Sequence, residues 1–165
     1  MDKLTLDTNV VQEHWKRRSK RNVVEQLVAL AEIGEVELAV TRYVRSDVPR
    51  EPLAARIDQL GDELKVMETG GVFTLGTSTL GGPDRLGSQQ FLDFIQSPVG
   101  WRPKKGRPPD GRDLMHLHAH LTQGRTAFLT WDEGVVEFGE HLAKAGFRIH
   151  VVRPEEYLTQ RPRSS

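Results

Sequence analysis

The hydrophobic positions along the chain predict short strands separated by amphipathic helices. Apolar runs too short for helices predict strands at residues 4–6, 36–40, 126–130 and 147–152. Apolar side chains that recur every three or four residues predict helices at 23–31, 88–95, 113–123 and 133–145. Residues 41–65 predict two helices split near Pro49 and Pro52, and Gly34, Gly124 and Gly146 stand where helices would end.

The order of these elements indicates the fold class. Strands that lack strong alternation and are separated by helices are typical of a parallel sheet with helices on both faces, so we expect an α/β protein. The length of 165 residues fits one domain, expected over residues 1–160. A Gly/Pro-rich insertion at about 68–110 is expected to be loop apart from the helix at 88–95, and residues 161–165 a flexible tail.

Composition and charge narrow the function. The chain carries 23 Lys+Arg and 23 Asp+Glu, so its formal net charge is zero, which excludes a basic surface over the whole protein. It has no cysteine, which excludes disulfides, thiolate zinc sites and cysteine nucleophiles. No apolar run approaches the ~20 residues of a membrane span, and the N-terminus does not resemble a signal peptide. We therefore expect a cytoplasmic protein that does not enter a membrane.

Two aspartates follow predicted strands, and two more lie on helices from which they could point at the same edge of the sheet. Asp7 and Asp132 follow the strands at 4–6 and 126–130, Asp47 lies on the helix after the second strand, and Asp113 opens the helix before 126–130. Ligands of parallel α/β sheets bind at this edge. Four carboxylates there would repel one another unless a cation neutralised them, and hard oxygen ligands suit Mg²⁺ or Mn²⁺. Two such ions form the clamp used for phosphodiester hydrolysis.

A simpler interpretation stays open for each aspartate taken alone. Asp7, Asp113 and Asp132 each precede a predicted helix, where Asp is a preferred N-cap, and Asp47 fits a solvated helix face. Only the joint placement of the four favours a metal site. Asp110 and Glu133 are near enough in sequence to replace one of them.

Four short motifs occur in order towards the two ends of the chain. They are Leu4-Thr5-Leu6-Asp7-Thr8-Asn9-Val10, Ala39-Val40-Thr41 followed by Asp47, Asp113-Leu114-Met115-His116-Leu117-His118-Ala119-His120-Leu121, and Phe128-Leu129-Thr130-Trp131-Asp132. The set resembles PIN domains, a family of metal-dependent nucleases that usually has Glu at the second acidic position. The resemblance implies a three-layer α/β/α sandwich with a central, mostly parallel sheet.

The same resemblance implies an activity and a set of site residues. The activity is cleavage of single-stranded RNA with Mg²⁺ or Mn²⁺, often as the toxin of a toxin–antitoxin pair. The implied catalytic metal ligands are Asp7, Asp47, Asp113 and Asp132, with Thr8, Asn9 and Thr130 as supporting residues that orient the carboxylates. The partners it implies, besides RNA, are an antitoxin or other protein and a second copy of the chain.

Three histidines alternate with apolar residues in the Asp113 segment. A strand would place His116, His118 and His120 on one face and predict a zinc site. A helix places His116 and His120 on a stripe with Asp113 and His118 apart, and it supplies the crossover that a parallel strand needs. We favour the helix, with His116 and His120 at the border of the acidic site, either contacting phosphate or assisting proton transfer, or having no role.

Two basic segments could bind RNA phosphates. One contains Lys16, Arg17, Arg18, Lys20 and Arg21, and the other contains Arg102, Lys104, Lys105, Arg107 and Arg112. Binding through such clusters depends on salt. Trp15 and Trp101 border them and could stack on bases, or could pack in the core.

The sequence therefore favours a Mg²⁺- or Mn²⁺-dependent endoribonuclease and leaves two alternatives. One is a catalytically weak or inactive PIN-like module that binds nucleic acid or protein, since a fold does not determine its chemistry. The other is a zinc hydrolase that uses the three histidines.

Overall fold

Five parallel strands form the centre of the protein. The computed structural model describes residues 1–16, 19–47, 66–71, 86–96 and 101–161. Its strands are β1 (Asp2–Leu6), β2 (Val36–Thr41), β3 (Val66–Thr69), β4 (Ala127–Leu129) and β5 (Val151–Val152). They form one sheet in the order β3-β2-β1-β4-β5, and each neighbouring pair is parallel.

Helices cover both faces of this sheet. The described helices are α1 (Thr8–Trp15), α2 (Arg21–Glu32), α3 (Val44–Asp47), α4 (Gln89–Gln96), α5 (Gly111–Gln123), α6 (Glu133–Lys144) and α7 (Pro154–Gln160). α1, α2 and α7 pack with Leu4 and Leu38 of the sheet in one core cluster. α4, α5 and α6 pack with Phe128 and Val151 in a second cluster. The predicted α/β/α sandwich is confirmed, and every strand pairing that the structure describes is parallel.

Alternation along the strands explains the two clusters. Successive side chains of a strand point to opposite faces. Leu4 and Leu6 of β1 therefore join the first cluster, whereas Thr5 between them bonds to a histidine of α5. Thr41 at the end of β2 also bonds to a histidine of α5, and both threonines are fully buried. The second face of the sheet thus carries polar groups that need partners, and α5 supplies them.

Most predicted elements are present, and the exceptions lie at the sheet edges and in short helices. The prediction of a strand over 147–152 is wrong in extent, because the amides of Phe147 and Ile149 bond to nearby carbonyls and leave only Val151–Val152 in the ladder. The loop expected from residue 68 is wrong at its start, because β3 runs to Thr69. Helix α1 was indicated only by Asp7 as a possible N-cap, and α7 was not predicted. Of the two helices expected at 41–65, α3 is described, and residues 48–65 lie outside the described part.

The strand order places the site. The chain builds β1, β2 and β3 to one side and then returns to build β4 and β5 on the other, so β1 and β4 flank the point where the order reverses. Ligands of open α/β sheets bind beside such a point, beyond the carboxyl ends of the strands. Asp7 directly follows β1, and Asp132 lies three residues after β4. None of the described helices has the length and apolar character to cross a membrane.

Close packing between α6 and β5 gives a first test of the fold. A Cβ on Gly139 would lie 2.4 Å from Cβ and Cγ2 of Val151. We expect Gly139→Ala to lower the free energy of unfolding by about 2 kcal/mol, because overpacking outweighs the gain in helix propensity. Urea denaturation would measure this. Gly111→Ala is the matched control, since a Cβ there meets nothing within 4 Å, and equal effects of the two substitutions would contradict the packing described.

Candidate active site

The four predicted aspartates line one pocket beyond the carboxyl ends of β1, β2 and β4. The pocket is open and has a volume of about 290 Å³. Its lining is almost entirely polar and consists of Asp7, Thr8, Asn9, Gln12, Asp47, Arg107, Asp110, Arg112, Asp113 and Asp132. Four separate chain segments therefore bring their carboxylates to the same place, as the sequence predicted.

Asp7 is the buried carboxylate of this pocket. It is 7% exposed and is the N-cap of α1, where its Oδ1 accepts a hydrogen bond from the Thr8 amide at 2.7 Å. Its Oδ2 accepts from Asn9 Nδ2 at 2.7 Å and from Thr130 Oγ1 at 2.6 Å. Burial raises the pKa of Asp7, although these hydrogen bonds and the nearby His116 oppose the rise. In the part of the chain that the structure describes, Asp7 forms no ion pair.

Asp47 is held by a chain of buried hydrogen bonds. Its Oδ2 accepts from Thr8 Oγ1 at 2.6 Å and lies 2.7 Å from Nε2 of His116. Nδ1 of His116 in turn lies 2.6 Å from Thr41 Oγ1. Because a carboxylate only accepts, Nε2 carries the proton of this pair. Burial alone would raise the pKa of Asp47, but the hydrogen bonds from His116 and Thr8 outweigh it and lower that pKa.

Asp132 and Asp113 are fixed by helix N-termini. Oδ1 of Asp132 accepts from two amides in the first turn of α6, so its capping role and its place in the pocket coexist. The expectation that Asp113 opens its helix is wrong, because Asp110 is the N-cap of α5 and Asp113 lies in the first turn. The two form a capping box, in which Asp113 Oδ2 accepts from the Asp110 amide at 2.9 Å. Burial raises the pKa of Asp113, and the charges of Asp110 and Asp132 add to the rise.

Two arginines lie among the carboxylates. The Arg107 guanidinium is 2.8 Å from Asp110, 3.2 Å from Asp113 and 3.8 Å from Asp132, and Arg112 is 3.8 Å from Asp47. Both belong to the segment predicted to contact RNA, and the structure places them inside the acidic pocket. Within the described residues, no three Asp, Glu, His or Cys side chains are arranged to hold a metal ion.

The three histidines do not converge. All three are at most 2% exposed, and α5 is the helix that the sequence favoured. His116 borders the pocket through Asp47. His118 instead accepts from the Ser88 amide and stacks on Phe91, while His120 bonds Thr5 inside the protein. Burial lowers the pKa of His120 to about 3, so this ring is neutral at pH 7. His116 and His120 are thus buried and do not present a surface to phosphate.

The basic segments differ in how much of their charge is paired. Arg102, Lys104 and Lys105 are exposed and lead directly to the pocket. In the N-terminal segment, Lys20 lies 3.8 Å from Glu155 and over the ring of Trp131, and Arg21 pairs with Glu25. Arg17, Arg18 and the side chain of Trp15 lie outside the described residues. Trp101 packs against Phe138 and His141 of α6, which agrees with the core interpretation of that residue.

Three contributors to the site escaped the sequence analysis. Gln12 lines the pocket because it lies one helical turn after Thr8, a spacing that would have indicated it once α1 was recognised. The ion pairs of Arg107 and the contact of His116 with Thr41 join segments far apart in the chain, and no local pattern signals them. Comparisons with protein-family models, curated proteins and solved structures found no match to this chain. The resemblance to PIN domains therefore stays a prediction.

The hydrogen bond from Thr8 to Asp47 predicts how the stability of the protein depends on pH. The lowered pKa of Asp47 in the folded state contributes stability above the unfolded value of about 4, and this contribution is lost as the pH falls through the folded value. We expect Thr8→Val to raise the pKa of Asp47. The acid-side loss of stability then begins at a higher pH, and the free energy of unfolding at pH 7 falls by about 1–2 kcal/mol.

Urea unfolding between pH 3 and 7, with the Asp47 carboxyl carbon followed by NMR, would measure both effects. Thr159→Val is the matched control, because that hydroxyl bonds only the Glu155 carbonyl on an exposed helix. An unchanged acid profile in Thr8→Val would contradict this account of Asp47.

Proposed function

We propose that this chain is a PIN-like endoribonuclease that hydrolyses single-stranded RNA in the cytoplasm with Mg²⁺ or Mn²⁺. The observation that carries the proposal is Asp7. This carboxylate is buried, forms no ion pair within the described residues, and shares one pocket with Asp47, Asp113 and Asp132. A divalent cation is the ligand that would compensate such a charge.

The chemistry of the donors fits these ions. Asp7, Asp47, Asp113 and Asp132 offer carboxylate oxygens, which hard cations prefer, and cysteine is absent. These four residues would hold the ions. When bound, such ions supply an activated water and stabilise the oxygen that leaves the phosphate.

The protein's own residues orient the carboxylates and bind the RNA. Asn9 and Thr130 hold one oxygen of Asp7, and the α6 amides hold one oxygen of Asp132. His116 keeps Asp47 ionised and ready to bind a cation. The exposed Arg102, Lys104 and Lys105 attract the phosphate backbone towards a pocket that is itself acidic. An antitoxin or other protein, and a second copy of the chain, belong to the proposal as partners.

A second candidate is an RNA-binding module without cleavage. The observation that favours it is the pair Arg107 and Arg112, which already compensate three of the four aspartates within the protein. In that case the acidic pocket would be a structural network, and the basic segment alone would bind RNA.

Cleavage of a labelled single-stranded RNA separates the two candidates. We expect cutting with Mn²⁺ or Mg²⁺, no cutting with EDTA, and a loss of at least ~100-fold in rate for Asp7→Asn, because the buried ligand is removed. Asp93→Asn is the matched control, since Asp93 is an exposed carboxylate that bonds Gln89 on α4. Bound but uncut RNA in the wild type would favour the binding module. Cutting that survives Asp7→Asn would refute the assignment of the site.

The role of the basic segment has its own test. We expect the double variant Lys104→Gln/Lys105→Gln to bind RNA more weakly. The slope of log K against log salt should become shallower by about 1.4, because each phosphate contact on a single strand contributes about 0.7. Fluorescence anisotropy from 50 to 300 mM salt would measure it. The double variant Lys144→Gln/Arg148→Gln removes two exposed charges outside the pocket and should keep the wild-type slope. Parallel slopes for all three proteins would exclude this RNA path.

A further inference from the structure

The side chain of Arg107 contacts two of the carboxylates that would hold the proposed cation. We propose that Arg107 is the internal counter-ion of the acidic pocket, and that a divalent cation enters by exchange with its guanidinium. The guanidinium then leaves Asp113 and Asp132 and keeps only its contact with Asp110. The inference rests on the proposed function in one respect, that divalent cations bind the aspartates of this pocket.

Arg107 contacts several carboxylates at once, as a bound cation would. One guanidinium reaches three carboxylates that come from the loop before α5, from α5 itself and from the start of α6. Its three nitrogens each face a different carboxylate, at 2.8, 3.2 and 3.8 Å. Two of these, Asp113 and Asp132, are among the four proposed metal ligands. A divalent cation held by these two aspartates would therefore compete with the guanidinium for the same carboxylate oxygens.

The backbone that carries Arg107 is fixed. The amides of Lys104 and Lys105 both donate to the carboxylate of Glu137, at 2.6 and 3.1 Å. Gly106 has a positive φ of 75° and approaches the Gly134 amide. A Cβ on Gly134 would lie only 1.8 Å from the Arg107 carbonyl oxygen, so the loop fits against α6 only where the helix has glycine.

The side chain, in contrast, is exposed to solvent. It is 57% exposed, and its described contacts are charge contacts of the guanidinium alone. Exposed ion pairs of this kind are weak and readily exchanged. The loop thus delivers the guanidinium to the pocket without locking it there, and the exchange requires a change of side-chain rotamers but no refolding.

The charge balance of the pocket explains why a cation is still attracted. Five aspartates line it, Asp110 included, against two arginines, so three negative charges are left uncompensated. Arg107 and Arg112 pair with four of these aspartates and leave Asp7 without an ion pair among the described residues. A divalent cation that displaces Arg107 compensates Asp7 as well, which the guanidinium does not.

The test measures Mn²⁺ binding to the full chain without RNA, by the EPR signal of free Mn²⁺. We expect Arg107→Gln to bind Mn²⁺ about tenfold more tightly than the wild type, because the competing cation is gone. Arg148→Gln is the matched control, since it removes one exposed positive charge outside the pocket and should leave the affinity unchanged. Unchanged or weaker Mn²⁺ binding in Arg107→Gln would overturn the exchange.

A second variant keeps the charge at the same position. Arg107→Lys retains a competing cation, so it should bind Mn²⁺ less tightly than Arg107→Gln. Circular dichroism would verify that each variant is folded. Tighter Mn²⁺ binding in Arg107→Gln without RNA cleavage would support the exchange and refute the ribonuclease. Absence of Mn²⁺ binding in every variant would overturn both.

Discussion

The need to hold five carboxylates, partly out of water, at one end of a parallel sheet is the constraint on which the rest of this pocket depends. The strand order places the ends of β1, β2 and β4 side by side, and the short segments that follow them bring Asp7, Asp47 and Asp132 into one pocket. Carboxylates that share one pocket and are partly out of water disfavour one another's ionised form. Each carboxylate is met by hydrogen-bond donors. Backbone amides donate to Asp7, Asp110, Asp113 and Asp132 from residues next to them in the chain, whereas Asp47 accepts from the hydroxyl of Thr8, 39 residues away.

The balance between burial and hydrogen bonding differs from one carboxylate of the pocket to the next. Asp47 gains more from hydrogen bonds than it loses by burial, so its pKa falls, whereas burial dominates at Asp7 and Asp113 and their pKa values rise. The uncompensated charge is thus concentrated next to β1, at the centre of the sheet and beside the point where the strand order reverses. Asp7 accepts three hydrogen bonds but forms no ion pair among the described residues, which is why the proposal of a bound cation rests on Asp7 more than on the number of aspartates.

The sequence predicted what local patterns encode and missed what distant contacts decide. The apolar periodicity predicted helices at 23–31 and 133–145, and three glycines predicted where helices end. The structure has helices there, and Gly34, Gly124 and Gly146 all have positive φ. Strand β5 has only two residues, because Phe147 and Ile149 turn into the core, and an apolar run alone does not reveal that. The four aspartates were predicted jointly, Asp7 and Asp132 from their places after strands and Asp47 and Asp113 from their places on neighbouring helices. The ion pairs of Arg107 depend on Gly134 and Glu137, which lie some 30 residues further along the chain, so no sequence pattern reports them.

Hydrogen bonds to buried residues hold one wall of the pocket, whereas an exposed side chain supplies the positive charge on the opposite wall. The second face of the sheet carries buried hydroxyls at Thr5 and Thr41, and a buried hydroxyl without a partner is costly. His120 and His116 of α5 satisfy them, and His116 extends this bonding to Asp47, so the position of that carboxylate is tied to the core of the sheet. On the opposite wall, the charge of Arg107 is delivered by an exposed side chain on an anchored loop. The pocket thus combines carboxylates that hydrogen bonds hold in place with a positive charge that an exposed side chain supplies.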